Sequence, residues 1–263
     1  MKPYRFNQGA GPVLVSIPHA GLAVPDEILA RFTPEARRLP DTDWHVDRLY
    51  DFAADLGCSA LAANYSRYVV DLNRPPDDEN LYPGQNTTGL IPIDTFDKRP
   101  IYIDDCGPDM AETFARVDGF WTPYHEALQA EMTRLVGVHG FAVLWEAHSI
   151  RSRVPRLFEG RLPDLNFGTA GGGACDPGLA KALAATAEEA GGAFTQVWNG
   201  RFKGGYTTRQ YGRPAQGWHA VQLELTQDLY MDEAPPFPYQ PAKAERLRPV
   251  LRALLETAQA WRP

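Results

Sequence analysis

The sequence lacks the features that mark several large classes of protein. It contains only three cysteines in 263 residues, Cys58, Cys106 and Cys175, and none of them forms a CxxC pair. An odd, scattered set of this kind is typical of free thiols in a reducing compartment. No apolar run reaches the length of a transmembrane helix, and the first residues contain no apolar signal-peptide segment. We therefore expect a cytoplasmic protein without membrane spans.

Basic runs and nucleotide-binding motifs are also missing. The net charge is -7 and there is no segment rich in lysine and arginine, which argues against nucleic acids and anionic membranes as partners. No GxGxxG pattern follows a predicted strand, and neither a P-loop nor a GxSxG motif is present, so nucleotide-dependent enzymes and serine hydrolases have no support. A small-molecule substrate is the partner that we expect, and the sequence does not indicate an oligomeric state.

The pattern of apolar residues predicts an α/β fold. Apolar runs that are too short for helices predict buried strands, and they alternate with segments of helical spacing. The predicted strands are 13–18, 58–62, 68–72, 141–147 and 220–225, and the predicted helices are 43–56, 109–138, 177–189 and 241–260. This alternation indicates a mixed, mostly parallel sheet in a single domain spanning 1–263. Two long irregular segments, 75–108 and 149–176, remain, and the first has the length of a lid or binding loop.

Two histidines stand at the ends of predicted strands. His19 and His148 each close a buried apolar run, and ligands of open α/β sheets bind beyond the carboxyl ends of such strands. Catalytic zinc takes three protein ligands, for example two histidines and a carboxylate, and leaves one position for water. A hydrogen-bonded loop histidine is the commoner role for either residue alone, but their matched placement predicts a metal site.

The third ligand is expected from an acidic segment at the start of a predicted helix. Asp41, Asp43 and Asp47 are the candidates, and we favour Asp43. The alternative for each carboxylate is helix capping or a solvated helix face. His45 is a rival donor, or an exposed helix histidine.

Two arginines flank the predicted strand 68–72. Arg67 and Arg74 offer planar guanidinium groups that can hold a carboxylate through paired hydrogen bonds. Asp71 could orient one of them, and Asn73 could donate its amide to a substrate oxygen. A purely structural Arg–Asp pair at the strand end explains the same spacing equally well.

Glu224 interrupts an otherwise apolar predicted strand. A carboxylate in such a place is costly unless it is paired or unless a site uses its raised pKa. It could act as a general base for a metal-activated water, or form a buried salt bridge with Arg151, Arg153 or Arg156. Glu146 has the same ambiguity, and we expect it to point away from His148.

A glycine-rich basic segment, 199–212, predicts either a substrate loop or a surface hairpin. Adjacent glycines let the backbone approach a ligand closely. Lys203 and Arg209 add positive charge, and Tyr206 and Tyr211 add hydroxyl groups.

These segments together resemble the N-formylglutamate deformylase (N-formylglutamate amidohydrolase) family. The matching stretches span nearly the whole chain in family order. They are SIPHAG at 16–21, LPDTDW at 39–44, SRYVVDLNRP at 66–75, EAHS at 146–149, LPDLNFGT at 162–169, KGGY at 203–206 and QLEL at 222–225. The resemblance implies hydrolysis of N-formyl-L-glutamate to formate and L-glutamate, the last step of one route of histidine degradation.

The family is in turn similar to zinc carboxypeptidases and aspartoacylases. This relation implies a phosphorylase/hydrolase-like three-layer α/β sandwich, and it implies contacts from Arg67, Asn73 and Arg74 to the substrate's carboxylate and carbonyl groups. The relatives carry a His-x-x-Glu ligand pair, but the residue three past His19 is Leu22. The carboxylate ligand must therefore come from elsewhere in this chain.

The resulting hypothesis is a metal-assisted amide hydrolysis. His19, Asp43 and His148 hold a divalent ion, with zinc favoured, and Glu224 moves the proton of the attacking water. Arg67 stabilises the oxyanion, and Asn73, Arg74 and Arg209 hold the substrate's carboxylates. The alternatives are a deacylase for another N-acyl amino acid and a non-catalytic protein that binds small anions.

Overall fold

The computed structural model of the chain describes residues 1–80, 84 and 86–263. The strands are β1 (Tyr4–Asn7), β2 (Val13–Ile17), β3 (Ser59–Ala63), β4 (Ala142–Ile150), β5 (Leu165–Gly168), β6 (Gln196–Trp198) and β7 (Trp218–Thr226). The α-helices are α1 (Asp26–Leu29), α2 (Val46–Leu49), α3 (Met110–Arg116), α4 (Thr122–His139), α5 (Pro177–Ala190), α6 (Tyr206–Tyr211) and α7 (Pro241–Ala260). A π turn, Val117–Trp121, joins α3 to α4 in one helical run that ends at Gly140.

The strands form one sheet whose connections reverse direction between β2 and β4. Within the described residues the strand order is β1-β3-β2-β4-β7-β5-β6. The four strands β3, β2, β4 and β7 are mutually parallel, while β1 and the β5–β6 pair run antiparallel to their neighbours. The chain leaves β2 toward β3 on one side and later returns to β4 on the other side. Ligand crevices of α/β sheets form at such a reversal, beyond the carboxyl ends of the two strands.

Helices cover both faces of the sheet, so the fold has three layers. One face packs against α2, α5 and α7 through a large apolar cluster that includes Val15, Trp145 and Leu223. The other face packs against α4 and α6 through a second cluster that includes Leu14, Leu144 and Tyr124. This arrangement confirms the α/β sandwich with a mixed, mostly parallel sheet. No helix among the described residues combines the length and the apolar character needed to cross a bilayer.

Most predicted elements are present at nearly the expected bounds. The helices α5 and α7 and the strands β2, β3, β4 and β7 are confirmed, as is the long helical run before β4. Five short elements were not predicted, each of them three to six residues long: β1, β5, β6, α1 and α6. The long irregular segment 75–108, for which a lid or a binding loop was expected, includes Leu81, Tyr82, Pro83 and Gln85, which lie outside the described residues.

The prediction of a strand at 68–72 was wrong, because this segment forms buried turns. Val69 N–H donates to Ser66 O at 2.8 Å, and the Asp71 carboxylate accepts the Asn73 N–H at 2.9 Å. A short acidic side chain that bonds to a backbone N–H two residues later offers the chain an alternative to a strand ladder. The apolar residues are buried as expected, but they fill two separate clusters from a loop.

The predicted helix 43–56 is shorter and starts later than expected. His45 adopts a left-handed conformation with φ 63°, so α2 begins only at Val46, and a 3-10 segment, Asp51–Leu56, follows it. The Asp43 side chain does not cap this helix. It is directed into the interior instead, which removes the capping alternative for this residue.

Two glycines near the end of α4 provide a matched test of this helix. Gly137 is an exposed helical residue at which an added methyl group meets no atom within 4 Å. Gly140 ends the helix in a left-handed conformation with φ 80°. Gly137→Ala should raise the free energy of unfolding by about 0.5–1 kcal/mol, and Gly140→Ala should lower it by about 1 kcal/mol. Urea unfolding measures both, and shifts of the same sign would contradict this helix end.

Candidate metal centre and substrate pocket

Polar side chains replace apolar ones at the carboxyl ends of the central strands. On β4, Glu146 and His148 follow Leu144 on the face toward α4 and α6, because alternate residues of a strand share a face. On β7, Gln222 and Glu224 are in register with Glu146 and His148 respectively. The sheet therefore carries two rows of buried polar groups at one edge.

Three of the predicted metal ligands meet at this edge. One donor atom each from His19, Asp43 and His148 lies within 4.8 Å of the other two, and all three residues are buried. The Asp43 Oδ2 atom is 2.9 Å from His148 Nδ1 and 3.8 Å from His19 Nδ1. The main chain supports this arrangement, since Asp43 N–H donates to His19 O at 3.1 Å and Ser149 N–H donates to Asp43 Oδ2 at 3.1 Å.

His19 is held in the form that a cation requires. Its Nε2 atom lies 2.8 Å from Asp71 Oδ1. Burial and the nearby charge of Arg67 lower the pKa of His19 to about 4, despite the opposing effect of Asp71 and Asp43. The ring is therefore neutral at pH 7. With its proton on Nε2, directed at Asp71, the lone pair of Nδ1 is directed at Asp43.

His148 has a different charge state. Burial opposes its charged form, but the hydrogen bond to Asp43 and the nearby carboxylates of Glu146 and Asp43 raise its pKa to about 10. Its Nδ1–H donates to Asp43. On the other side of the ring, Nε2 lies 3.1 Å from Asn73 Nδ2 and 3.4 Å from Glu146 Oε1.

The other candidate ligands of the acidic segment are used elsewhere. Asp41 accepts hydrogen bonds from Tyr68 Oη at 2.6 Å and from the Phe96 N–H at 2.8 Å. Asp47 forms a surface ion pair with Arg5. His45 bonds through Nε2 to a backbone carbonyl of residue 237. Among Asp41, Asp43 and Asp47, only Asp43 therefore joins the histidines.

Arg67 connects the ligand cluster to the surrounding charges. Its Nη2 donates to Asp71 Oδ2 at 2.6 Å, and its Nη1 lies 3.9 Å from Asp43 Oδ1. Arg67 therefore forms the structural pair with Asp71 that was one alternative. It also lines the pocket beside His19, so it lies at the site as well.

Glu224 lies in the same pocket, next to His148 in the sheet. Burial and the charge of Asp43 raise the pKa of Glu224 to about 7, although His148, Arg67 and Arg201 act in the opposite direction. The alternative salt bridges are not formed with Arg151 and Arg156, which pair with Asp97 and Asp94 respectively. A carboxyl group whose pKa lies near neutrality can accept and return a proton at working pH.

The pocket opens to solvent, and the empty space within it and its mouth amounts to about 620 Å³. Asn73 and Arg74, the predicted substrate contacts, line it, and so does part of the first long loop, including Thr88. Arg74 is anchored to that loop, because its Nε and Nη2 donate to Thr88 O and Thr88 Oγ1 at 2.8 and 3.2 Å.

The prediction for Arg209 needs correction. The segment 199–212 contains the short helix α6 rather than a hairpin, and Arg209 is exposed on it, with Nε donating to Gly204 O at 3.0 Å. Arg209 is not among the residues that line the pocket, whereas Arg201 is. Arg201 is fixed by hydrogen bonds to Leu157 O at 2.6 Å and Asn86 O at 3.0 Å.

Gln222 and Arg201 belong to the pocket but were not predicted from the sequence, and the direction of Glu146 was predicted wrongly. Gln222 lines the pocket and accepts the Gly205 N–H at 2.9 Å. Glu146 was expected to point away from His148, which was wrong, since residues two apart in a strand share a face. That alternation would have found both Glu146 and Gln222, but no local pattern distinguishes Arg201 from Arg209.

The charges around the cluster fit a divalent cation. Four carboxylates, Asp43, Asp71, Glu146 and Glu224, are buried here with one buried guanidinium, that of Arg67. Buried charge of one sign is costly unless it is compensated. Two imidazole nitrogens and a carboxylate oxygen are also the donor set that zinc prefers at catalytic centres.

Comparison with known proteins gives a consistent result. The sequence model of the N-formylglutamate amidohydrolase family matches residues 11–231. An N-formylglutamate deformylase of Pseudomonas aeruginosa is 53% identical over 256 residues, which cover 97% of this chain and 96% of that protein. One from Pseudomonas putida is 50% identical over 260 residues, with 99% and 97% covered.

Solved structures show the same fold. The crystal structure of N-formylglutamate amidohydrolase from Ralstonia eutropha JMP134 matches with a TM-score of 0.84 at 27% identity, covering 98% of this chain and 97% of that one. A gene product of Agrobacterium tumefaciens matches with a TM-score of 0.68 at 20% identity, covering 98% and 93%. The second likeness concerns the fold alone.

Proposed function

The chain belongs to the N-formylglutamate amidohydrolase family, and we propose that it hydrolyses N-formyl-L-glutamate to formate and L-glutamate at a divalent metal ion. Family membership makes the chain a hydrolase of amide bonds. The observation that carries the metal dependence is the convergence of His19, Asp43 and His148 beside Glu224 in one pocket. Zinc is the ion that we favour, because the donor set contains two imidazoles.

Each charged group at the pocket has a distinct task in this proposal. The ion, when bound, acidifies water and polarises the formyl oxygen. Glu224 accepts the proton of the attacking water and delivers it to the leaving amine, for which its raised pKa is suited. Arg67 stabilises the negative charge that develops on the formyl oxygen, because its guanidinium is buried and held in place by Asp71.

The substrate's carboxylates require cationic groups farther from the ligands. Arg74 and Arg201 line the pocket and are each fixed by hydrogen bonds to backbone carbonyls. We propose that they hold the two carboxylates, with Asn73 orienting the bound amide, and that Arg201 takes the role assigned to Arg209 from the sequence. The cytoplasmic location and the place at the end of histidine degradation stay predictions.

The purified protein should convert N-formyl-L-glutamate into equal amounts of formate and glutamate. Chelation should abolish formate release, and one equivalent of zinc per chain should restore it. A coupled formate assay measures this, with N-acetyl-L-glutamate and N-formyl-L-aspartate as comparison substrates. Faster cleavage of the acetyl compound would indicate a different deacylase, and a protein that neither binds metal nor releases formate would be an anion-binding protein.

Asp43→Asn should weaken zinc binding by at least about 10-fold, because it replaces a charged ligand by a neutral one. Asp47→Asn is the matched control, since Asp47 is a partly exposed neighbour paired with Arg5, and this variant should bind zinc as the unmodified chain does. Competition with a chromophoric chelator measures both affinities. Equal affinities for the two variants would remove Asp43 from the ligand set.

Glu224→Gln should lower kcat by about 100-fold or more and leave KM nearly unchanged, because the carboxylate acts on the barrier rather than on substrate binding. Initial rates on the zinc-loaded variant separate the two parameters. A variant that mainly raises KM would assign Glu224 to substrate binding instead.

Arg201→Ala should raise KM by roughly 10-fold or more, which is the effect expected for one lost charged hydrogen bond. Arg209→Ala removes the same charge from the exposed side of α6 and should change KM less than about two-fold. Steady-state kinetics on both variants tests the assignment. The opposite order of effects would restore Arg209 as the substrate contact.

A further inference from the structure

Glu146 is a fully buried carboxylate without a hydrogen-bond partner among the described residues. Its exposed fraction is 0% and neither carboxylate oxygen is hydrogen-bonded. His148 lies beside it on the same strand face, with Nε2 of the ring 3.4 Å from Glu146 Oε1. Burying a carboxylate without partners costs free energy of folding. The proposed reaction gives Glu146 no task that would explain its presence here.

The two imidazoles of the ligand cluster differ in the group behind them. Asp71 lies 2.8 Å from Nε2 of His19 and keeps the proton on that nitrogen, so Nδ1 is available for a cation. His148 instead donates its Nδ1–H to Asp43. A cation that binds Nδ1 of His148 must displace this proton, and the neutral ring then carries its hydrogen on Nε2.

Two side-chain groups of the described residues approach this Nε2 atom, those of Asn73 and Glu146, and they differ in whether they can accept its hydrogen. Asn73 directs its Nδ2 at the ring, and this orientation is set because Asn73 Oδ1 accepts the Thr207 N–H at 3.0 Å. An amide nitrogen is a donor and cannot accept a hydrogen bond. The carboxylate of Glu146 can, and it approaches from the same side of the ring.

We infer that Glu146 is a positioning residue, which accepts the Nε2–H of His148 when a cation binds Nδ1 and thereby sets the tautomer of this ligand. It does for His148 what Asp71 does for His19. Asn73 acts in the opposite sense, because its donation to Nε2 favours the tautomer in which Nδ1–H remains bound to Asp43. Partners of this kind behind a ligating histidine commonly change metal affinity 10- to 100-fold.

The test compares zinc affinities of variants by competition with a chromophoric chelator. Glu146→Gln should weaken zinc binding about 10- to 100-fold, and Glu146→Asp, which keeps the charge, should recover part of that loss. Glu131→Gln is the matched control, since Glu131 is another buried carboxylate. It lies on α4 and is hydrogen-bonded to Ser59 of β3 and to Arg134. This substitution should lower thermal stability and leave zinc affinity unchanged.

Nitrogen-15 NMR of the zinc-loaded protein gives a readout that is independent of activity. In the unmodified chain the His148 signals should show a proton on Nε2, and Glu146→Gln should weaken the hydrogen bond of that proton. This inference rests on the proposed metal centre, and the two fail differently. If the unmodified chain binds no zinc, both are overturned; if it binds zinc and Glu146→Gln binds equally well, only the role of Glu146 is overturned.

Discussion

A single carboxylate oxygen holds the site together. Asp43 Oδ2 accepts hydrogen bonds from His148 Nδ1 and from the Ser149 N–H, and it faces Nδ1 of His19. These contacts join the end of β2, the turn before α2 and the end of β4. Because this oxygen is buried, each partner is needed to offset its lost hydration. The positions of both imidazoles therefore depend on Asp43, and so does the shape of the pocket above them.

The charges around Asp43 serve function at the expense of stability. Carboxylates in a buried cluster repel one another, and replacing such groups by apolar ones often stabilises a protein. Here Asp71, Glu146 and Glu224 surround the ligand cluster, and Arg67 is the buried guanidinium that lies beside them among the described residues. Such an arrangement suits a protein that binds a cation and handles protons, since the ion supplies the missing positive charge.

Side chains of the helical run before β4 hold the buried turns 68–74 in place through hydrogen bonds to the backbone. His125 bonds through Nε2 to Leu72 O at 2.8 Å, and Trp121 Nε1–H donates to Arg74 O at 3.0 Å. Burial lowers the pKa of His125 to about 4, so the ring stays neutral and its Nε2–H can donate to the carbonyl. His125 and Trp121 thus fix the backbone on either side of Asn73, and in this way they position Asn73 and Arg74 at the pocket.

The sequence by itself determined the α/β class, the central strands and the two histidines at their ends, because burial and alternation leave a local pattern. It also indicated Glu224 as a functional candidate, since a carboxylate among apolar residues can be recognised within a single segment. Tertiary structure alone decided which aspartate joins the histidines, whether Arg201 or Arg209 reaches the pocket, and that 68–72 forms turns. Those outcomes depend on left-handed backbone conformations, on partners far away in the chain and on the connection that returns from β3 to β4 on the other side of β2. A local sequence pattern encodes none of these.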